Sequence, residues 1–244
     1  MAPGEIFYLE GGVGENLLFL HGAYATSEAY IPLLELLANH FHVIAPVHPG
    51  HGKSFAIPHE WKLENYISFY EDFFAEISFP PKILVGHSFG GTIALLLAAR
   101  NVGKRAIIMD APGLPYAISL KQYMSVIEEE RKDILAKRKD LAQLGEVVKV
   151  VRSVVQSVLF HSRSLMHITT FGPKYNIAAK LKNIWIPVDL FWGSDDRLVP
   201  VEMGKRIHAE IPASRFTVLP GRGHNYSVTD PQFTYELLMR TVTA

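Results

Sequence analysis

Lys82-Ile83-Leu84-Val85-Gly86-His87-Ser88-Phe89-Gly90-Gly91 is the stretch whose reading decides the fold. The apolar run 83–85 has strand character and drives straight into Gly-x-Ser-x-Gly, after which 92–100 reads as a helix buried on most of its faces. A serine caught between a strand end and a helix start sits on a very tight turn, often with an unfavourable backbone angle. Neighbouring positions then tolerate little side chain, which accounts for Gly86 and Gly90 two residues to either side. The turn lifts the Ser88 hydroxyl clear of the backbone and aims the amides of a helix N-terminus at the same space.

Outward from this turn, strands and helices alternate. On the amino-terminal side, 5–10 reads as a short first strand turned by Gly11-Gly12-Val13-Gly14, and 16–20 as an almost wholly apolar strand of the kind covered on both faces. An amphipathic helix follows over about 27–39, with Tyr30, Leu33, Leu34 and Leu37 on its inner stripe. Next come a strand at 41–45, a loop dense in turn formers, and an amphipathic helix over 63–77 stopped by Pro80-Pro81. Beyond the central turn, 105–110 is a strand leaving through Ala111-Pro112-Gly113. The rhythm then changes. From about 114 to 182 no strand pattern is found; 119–144 and 146–160 have helical spacing, the latter through repeated valines, and 161–182 is mixed with one or two short helices. Alternation resumes with a strand at 186–192, a helix near 202–210, a strand at 215–219 and a last helix from about 230 to 242. The expectation is an α/β core made of 1–113 and 183–244, interrupted by a helical cap at 114–182.

At 244 residues, with 48% hydrophobic side chains, the chain suits one large domain with an inserted subdomain. Its 24 basic and 24 acidic residues are spread along the sequence, which argues against nucleic acid or an anionic membrane as partner. Cysteine is absent, so disulfides, thiolate chemistry and cysteine metal sites are excluded. The amino terminus lacks a basic segment followed by an apolar one, and the longest apolar stretches are too short to span a bilayer, so a cytoplasmic location is expected.

Serine is a poor nucleophile until a base takes its proton, and the base must itself be oriented by a third group. After the interruption, the strand at 186–192 runs into Gly193-Ser194-Asp195-Asp196-Arg197-Leu198-Val199-Pro200, and the next runs into Pro220-Gly221-Arg222-Gly223-His224-Asn225. An acid after one strand and a histidine after the next both emerge at the carboxyl edge of the sheet, where Ser88 sits. Either Asp195 or Asp196 satisfies this pattern. His48 and His51 lie three apart on a Pro/Gly loop with no third ligand pattern nearby, and read as structural. Gly52-Lys53-Ser54 fails as a phosphate loop because Val47 stands where the leading glycine belongs.

The whole chain resembles the α/β-hydrolase family, in particular its small, cap-bearing serine esterases and C–C bond hydrolases. The resemblance is carried by His21-Gly22, Pro49-Gly50-His51-Gly52-Lys53-Ser54, Gly86-His87-Ser88-Phe89-Gly90-Gly91, the 193–200 segment and Gly221-Arg222-Gly223-His224. It implies a mostly parallel sheet of roughly eight strands with helices on both faces. It also implies Ser88 as nucleophile, His224 as base and Asp196 as orienter, with Asp110 the alternative location of the acid in some relatives. By family position the oxyanion amides are those of Ala23 and Phe89, and His87 is an elbow residue that packs or hydrogen-bonds. Two departures stand out: Ala23-Tyr24-Ala25 replaces the common glycines, and Val47-His48 replaces a frequent acidic residue. Tyr24 and Phe89 are expected to narrow the acyl pocket, and Tyr123, Met124, Val154, Val158, Phe160 and Met166 of the cap to supply its walls.

The activity implied is acyl transfer from a small to medium, largely apolar carboxylic ester to water, by a monomer or homodimer without metal or cofactor. Rival readings are a C–C hydrolase of a vinylogous diketone, with Arg163, Lys174 or Arg197 serving a substrate carboxylate, a perhydrolase or acyltransferase, and a ligand receptor on the same fold.

Overall fold

The computed structural model describes residues 4–23, 25–58, 61–116, 125, 126, 128 and 175–243. Within them the segments read as strands become β1 (Tyr8–Gly11), β2 (Glu15–Leu20), β3 (Phe41–Pro46), β4 (Ile83–His87), β5 (Arg105–Met109), β6 (Val188–Gly193) and β7 (Ser214–Leu219). They form one seven-stranded sheet in the order β1-β3-β2-β4-β5-β6-β7, with only β1 antiparallel to its neighbour. The resemblance implied about eight strands; among the described residues a single antiparallel strand, β1, precedes β2 at that edge. This first strand also starts later than its sequence pattern. Tyr8 pairs with Pro46, which has no N–H to extend the ladder, and residues 5–7 bond to the following loop instead, Val47 N–H to Phe7 O (2.8 Å) and Phe55 N–H to Glu5 O (3.0 Å).

Successive residues of the central strands face opposite layers, which is why these strands are apolar throughout. Leu18 and Leu20 of β2, with Leu84, Ile108 and Leu190, look toward α2 (Leu63–Glu76), α3 (Phe89–Ala98), α4 (Ala178–Leu181) and α5 (Val201–Glu210). Leu17 and Phe19, with Val85, Ile107 and Phe191, look toward α1 (Ile31–Ala38), α6 (Tyr226–Thr229) and α7 (Pro231–Thr243). A 3-10 turn, Ser27–Tyr30, leads into α1. No helix among the described residues is long and apolar enough to cross a membrane.

The strand order creates the site. From β2 the chain moves outward to β3, then crosses back over β2 to β4, so the connections leaving β2 and β4 part in opposite directions. Their carboxyl ends open a crevice, the usual binding position in a parallel sheet. The long connection between β5 and β6 leaves at the same edge, and most of the expected cap lies outside the described residues. Its two described ends meet: Ile177 N–H donates to Gly113 O (2.9 Å), and Leu114 and Ile177 are both buried in the core.

Close approach of α3 to the sheet depends on its glycines. A Cβ on Gly90 would stand 2.2 Å from Leu20 O and 2.5 Å from His21 O, and one on Gly86 would stand 2.5 Å from Gly90 O. Alanine is favoured over glycine in a helix by about 1 kcal/mol, so any loss in Gly90→Ala isolates this clash. We expect Gly90→Ala to destabilise by about 2 kcal/mol, lowering the thermal midpoint by roughly 4–8 °C. A midpoint equal to or above the parent in calorimetry would contradict the packing described.

Candidate active site

Ser88 is the N-cap of α3 with φ 52° and ψ −121°, a conformation that costs a non-glycine residue about 1–3 kcal/mol. Bonds on both sides hold it there. Its N–H donates to Met109 O at the end of β5 (2.8 Å), and its carbonyl accepts from Thr92 N–H (3.1 Å). Thr92 in turn donates its hydroxyl to Pro112 O, tying α3 to the exit of β5.

Two further loops converge on this turn. The loop after β6 is folded back by the Trp192 indole, whose N–H donates to Val199 O (2.8 Å). Inside it, Asp196 Oδ1 accepts two main-chain donors, Leu198 and Val199 N–H, both at 2.8 Å. The loop after β7 is laced to the first through Asp195 N–H to Arg222 O (2.9 Å), Ser194 N–H to Leu219 O (2.9 Å) and Gly221 N–H to Ser194 Oγ (2.8 Å). His224 is thereby brought beside both partners, with Nδ1 2.7 Å from Asp196 Oδ2 and Nε2 3.0 Å from Ser88 Oγ. A carboxylate only accepts, so Nδ1 carries the proton and Nε2 presents a lone pair to the serine hydroxyl. The His224 and Asp196 side chains are 6% and 0% exposed, so the bond between them lies away from solvent.

The rival acids are otherwise engaged. Asp195 is exposed and accepts the Ser194 hydroxyl. Asp110 is fully buried with φ 50°, and its Oδ1 accepts Gly193 N–H (2.9 Å), fastening the start of the Asp196 loop to the end of β5. Burial, together with the charges of Asp110 and Asp196, raises the Tyr226 phenol well above its ordinary range.

The turn after β2 packs directly against the serine: a Cβ on Gly22 would lie 3.2 Å from Ser88 Cβ. His21 holds this turn. Its Nε2 accepts His48 N–H (2.9 Å), so Nδ1 carries the proton and donates to Gly22 O (2.7 Å). Because a trans peptide is planar, fixing the Gly22 carbonyl fixes the opposed direction of the Ala23 N–H. His48 closes the clamp, donating Nε2–H to His21 O (2.8 Å) while Nδ1 accepts the Tyr70 hydroxyl. Phe89, whose amide belongs to the first turn of α3 and has no acceptor within the helix, buries its ring against His48, His51 and Tyr66.

The hydroxyls of Tyr30 and Tyr70 complete histidine hydrogen bonds, a pairing across elements that no local pattern signals. His21, His48 and His51 do cluster, with ring centroids 4.1–5.7 Å apart. Both nitrogens of His21 and His48 are, however, committed to the bonds above, which leaves the cluster poorly suited to a metal. Val47 and His48, unexplained in the sequence, are now accounted for on the histidine's side. Tyr24, Tyr123, Met124, Val154, Val158, Phe160 and Met166 lie outside the described residues.

A serine on the strand-to-helix turn of a mostly parallel sheet, faced by histidine and acid from later loops, is the α/β-hydrolase arrangement. The family model described as alpha/beta hydrolase family matches residues 17–237, and the chain belongs to that family. Over 86 residues it is 35% identical to (E)-2-((N-methylformamido)methylene)succinate hydrolase of Acinetobacter baylyi, a match spanning 35% of this chain and 33% of that one. A monoacylglycerol lipase of Bos taurus is 22% identical over 250 residues, covering 92% of this chain and 74% of the relative. Among solved structures, a serine hydrolase involved in carbazole degradation superposes with a TM-score of 0.81 at 22% identity, covering 98% of this chain and 95% of that one.

Burial and the neighbouring His51 hold His48 down to about 3; burial and the neighbouring His224 do the same for His87, also to about 3. Burial, followed by the charges of His48 and His51, keeps His21 well below its usual range. These imidazoles are neutral when folded and titrate near 6.5 when unfolded, so the unfolded chain binds more protons in between. Their contribution to stability is complete above about pH 6.5 and is lost as pH falls toward 3. At pH 5, unfolding is expected to take up roughly two to three protons on their account, read from the slope of denaturation free energy against pH. His87→Gln should remove about one of them. A stability flat between pH 7 and 4.5 would refute this.

Proposed function

We propose that the protein is a serine hydrolase acting on small to medium, largely apolar carboxylic esters. The reading rests on one observation above the others: Ser88 Oγ, His224 and Asp196 stand in one hydrogen-bonded line, with His224 Nε2 placed to receive the Ser88 proton. His224 Nε2 takes the Ser88 proton as Oγ attacks the ester carbonyl. The resulting oxyanion is received by the amides of Ala23 and Phe89, each such donor being worth about 10²–10³ in rate. Asp196, charged and doubly anchored, stabilises the imidazolium and holds its tautomer. His224 then returns the proton to the departing alcohol, leaving an acyl group on Ser88. Water enters, gives its proton to His224 and attacks the acyl carbon; collapse releases the carboxylic acid and restores Ser88–OH. Serine and water each supply one nucleophilic electron pair and one proton, the alcohol leaves with the pair of the broken C–O bond, and His224 carries the protons.

The choice of a carboxylic ester is supported by the similarity, over 92% of this chain and 74% of the relative, to a monoacylglycerol lipase. The candidate acyl contacts Met124, Val154, Val158 and Phe160, beside Tyr24 and Tyr123, are all aliphatic or aromatic, which favours a neutral acyl group.

A fluorophosphonate probe should label Ser88, located by peptide mapping, and p-nitrophenyl esters of graded chain length should be hydrolysed. Ser88→Ala should lower turnover by about 10⁶, and Asp196→Asn by about 10⁴, while Asp195→Asn leaves it nearly unchanged. Substantial turnover in Ser88→Ala would overturn the mechanism, and a larger loss in Asp195→Asn than in Asp196→Asn would overturn the assignment of the acid.

A further inference from the structure

Tyr30, at the head of α1, and His87, immediately before the nucleophile, have no task in the acyl transfer just described. Both are buried, at 1% and 2% exposure. Their hydrogen bonds nevertheless join two separate parts of the site in one chain. Gly22 N–H donates to Tyr30 Oη (3.3 Å), Tyr30 Oη lies 2.7 Å from His87 Nδ1, and His87 Nε2 lies 2.8 Å from the carbonyl of His224.

Chemistry assigns every proton in it. The His224 carbonyl can only accept, so His87 Nε2 carries a hydrogen. The buried ring is neutral, so Nδ1 is bare. The single hydroxyl proton of Tyr30 therefore points to Nδ1, which leaves an oxygen lone pair for Gly22 N–H. One end of the chain grips the turn that leads to Ala23. The other grips the main chain of the histidine facing Ser88, with the His87 and His224 rings 4.9 Å apart. Space is tight: a Cβ on Gly22 would lie 3.1 Å from His87 Nδ1.

We infer that the Tyr30–His87 pair is a positioning device that sets His224 from behind, through its carbonyl, and ties it to the turn carrying one arm of the oxyanion hole. The inference rests on the serine-hydrolase reading. Its physical content is registration. The base and the Ala23 amide come from loops after β7 and β2, which are not neighbours in the sheet. A displacement of about 1 Å in such a site can cost 10²-fold in rate.

The test uses His87→Gln, whose amide N–H reaches the place of Nε2; His87→Asn, which keeps only an acceptor near Nδ1; and Tyr30→Phe, which loses only the hydroxyl. The rate constant for fluorophosphonate labelling of Ser88, and kcat and KM on the best p-nitrophenyl ester, are measured with the thermal midpoint of each. His87→Asn should lower labelling and kcat by about 10–100-fold with KM within about threefold, while His87→Gln stays within about fivefold of the parent. Tyr30→Phe should fall between them, and the double variant Tyr30→Phe/His87→Asn should lose no more than His87→Asn alone, since both cut one chain. Equal rates in His87→Asn and His87→Gln, or losses that follow KM or the thermal midpoint, overturn the inference. Where His87→Asn is too unstable to assay, unchanged kcat in Tyr30→Phe overturns it equally. If the parent itself is not labelled, the serine-hydrolase reading fails and takes the inference with it; if the parent is labelled and the variants react alike, the inference alone fails.

Discussion

Everything in this site follows from a backbone conformation that Ser88 would not adopt by itself. A non-glycine residue with φ near 52° persists only where its surroundings leave it no alternative. Here the surroundings are a β5 carbonyl on one side, the first turn of α3 on the other, and the bare backbone of Gly90 pressed against the end of β2. Such a turn requires β2, β4 and β5 to be neighbours, which fixes the crossover over β2 and hence the crevice. The local strain and the global strand order are thus one constraint seen at two scales.

Around that constraint the protein uses neutral histidine as a structural connector. A neutral imidazole can accept on one edge and donate on the other while fully buried. Two of them here, His48 and His87, each take a tyrosine hydroxyl at Nδ1 and hand Nε2–H to the main-chain carbonyl of another histidine, His21 or His224. Burial keeps them uncharged, and among the described residues the imidazole in hydrogen-bond reach of Ser88 is His224. The same low-dielectric surroundings that make an unpaired polar atom costly make these fully paired chains stiff.

Most of the architecture was legible because it rests on local rules. Period-two and fully apolar segments marked the strands, Pro80-Pro81 marked the end of α2, and Gly86 with Gly90 announced the close approach that α3 makes. Ser88, Asp196 and His224 were legible as a set because strand ends in a parallel sheet share one edge. The choice between Asp195 and Asp196 came from the family resemblance and not from local pattern, since it turns on which carboxylate faces inward, a matter of how the loop folds around the Trp192–Val199 bond. The tyrosine–histidine pairs were equally hidden. Tyr30 and His87 are 57 positions apart, and nothing in either neighbourhood distinguishes a core tyrosine from one whose hydroxyl has a partner.

The bond between Ile177 N–H and Gly113 O has a consequence for how such a protein can change. It pinches the base of the β5–β6 connection shut, and Leu114 and Ile177 seal that base from below with their own side chains. The entropy of closing a loop grows only with the logarithm of its length. The connection between Leu114 and Ile177 can therefore lengthen, shorten or be exchanged at little cost to the sheet beneath, because the core is already closed where it leaves. The closed core and the connection that leaves it are thereby separable parts of the chain, and selection can redraw the second without disturbing the first.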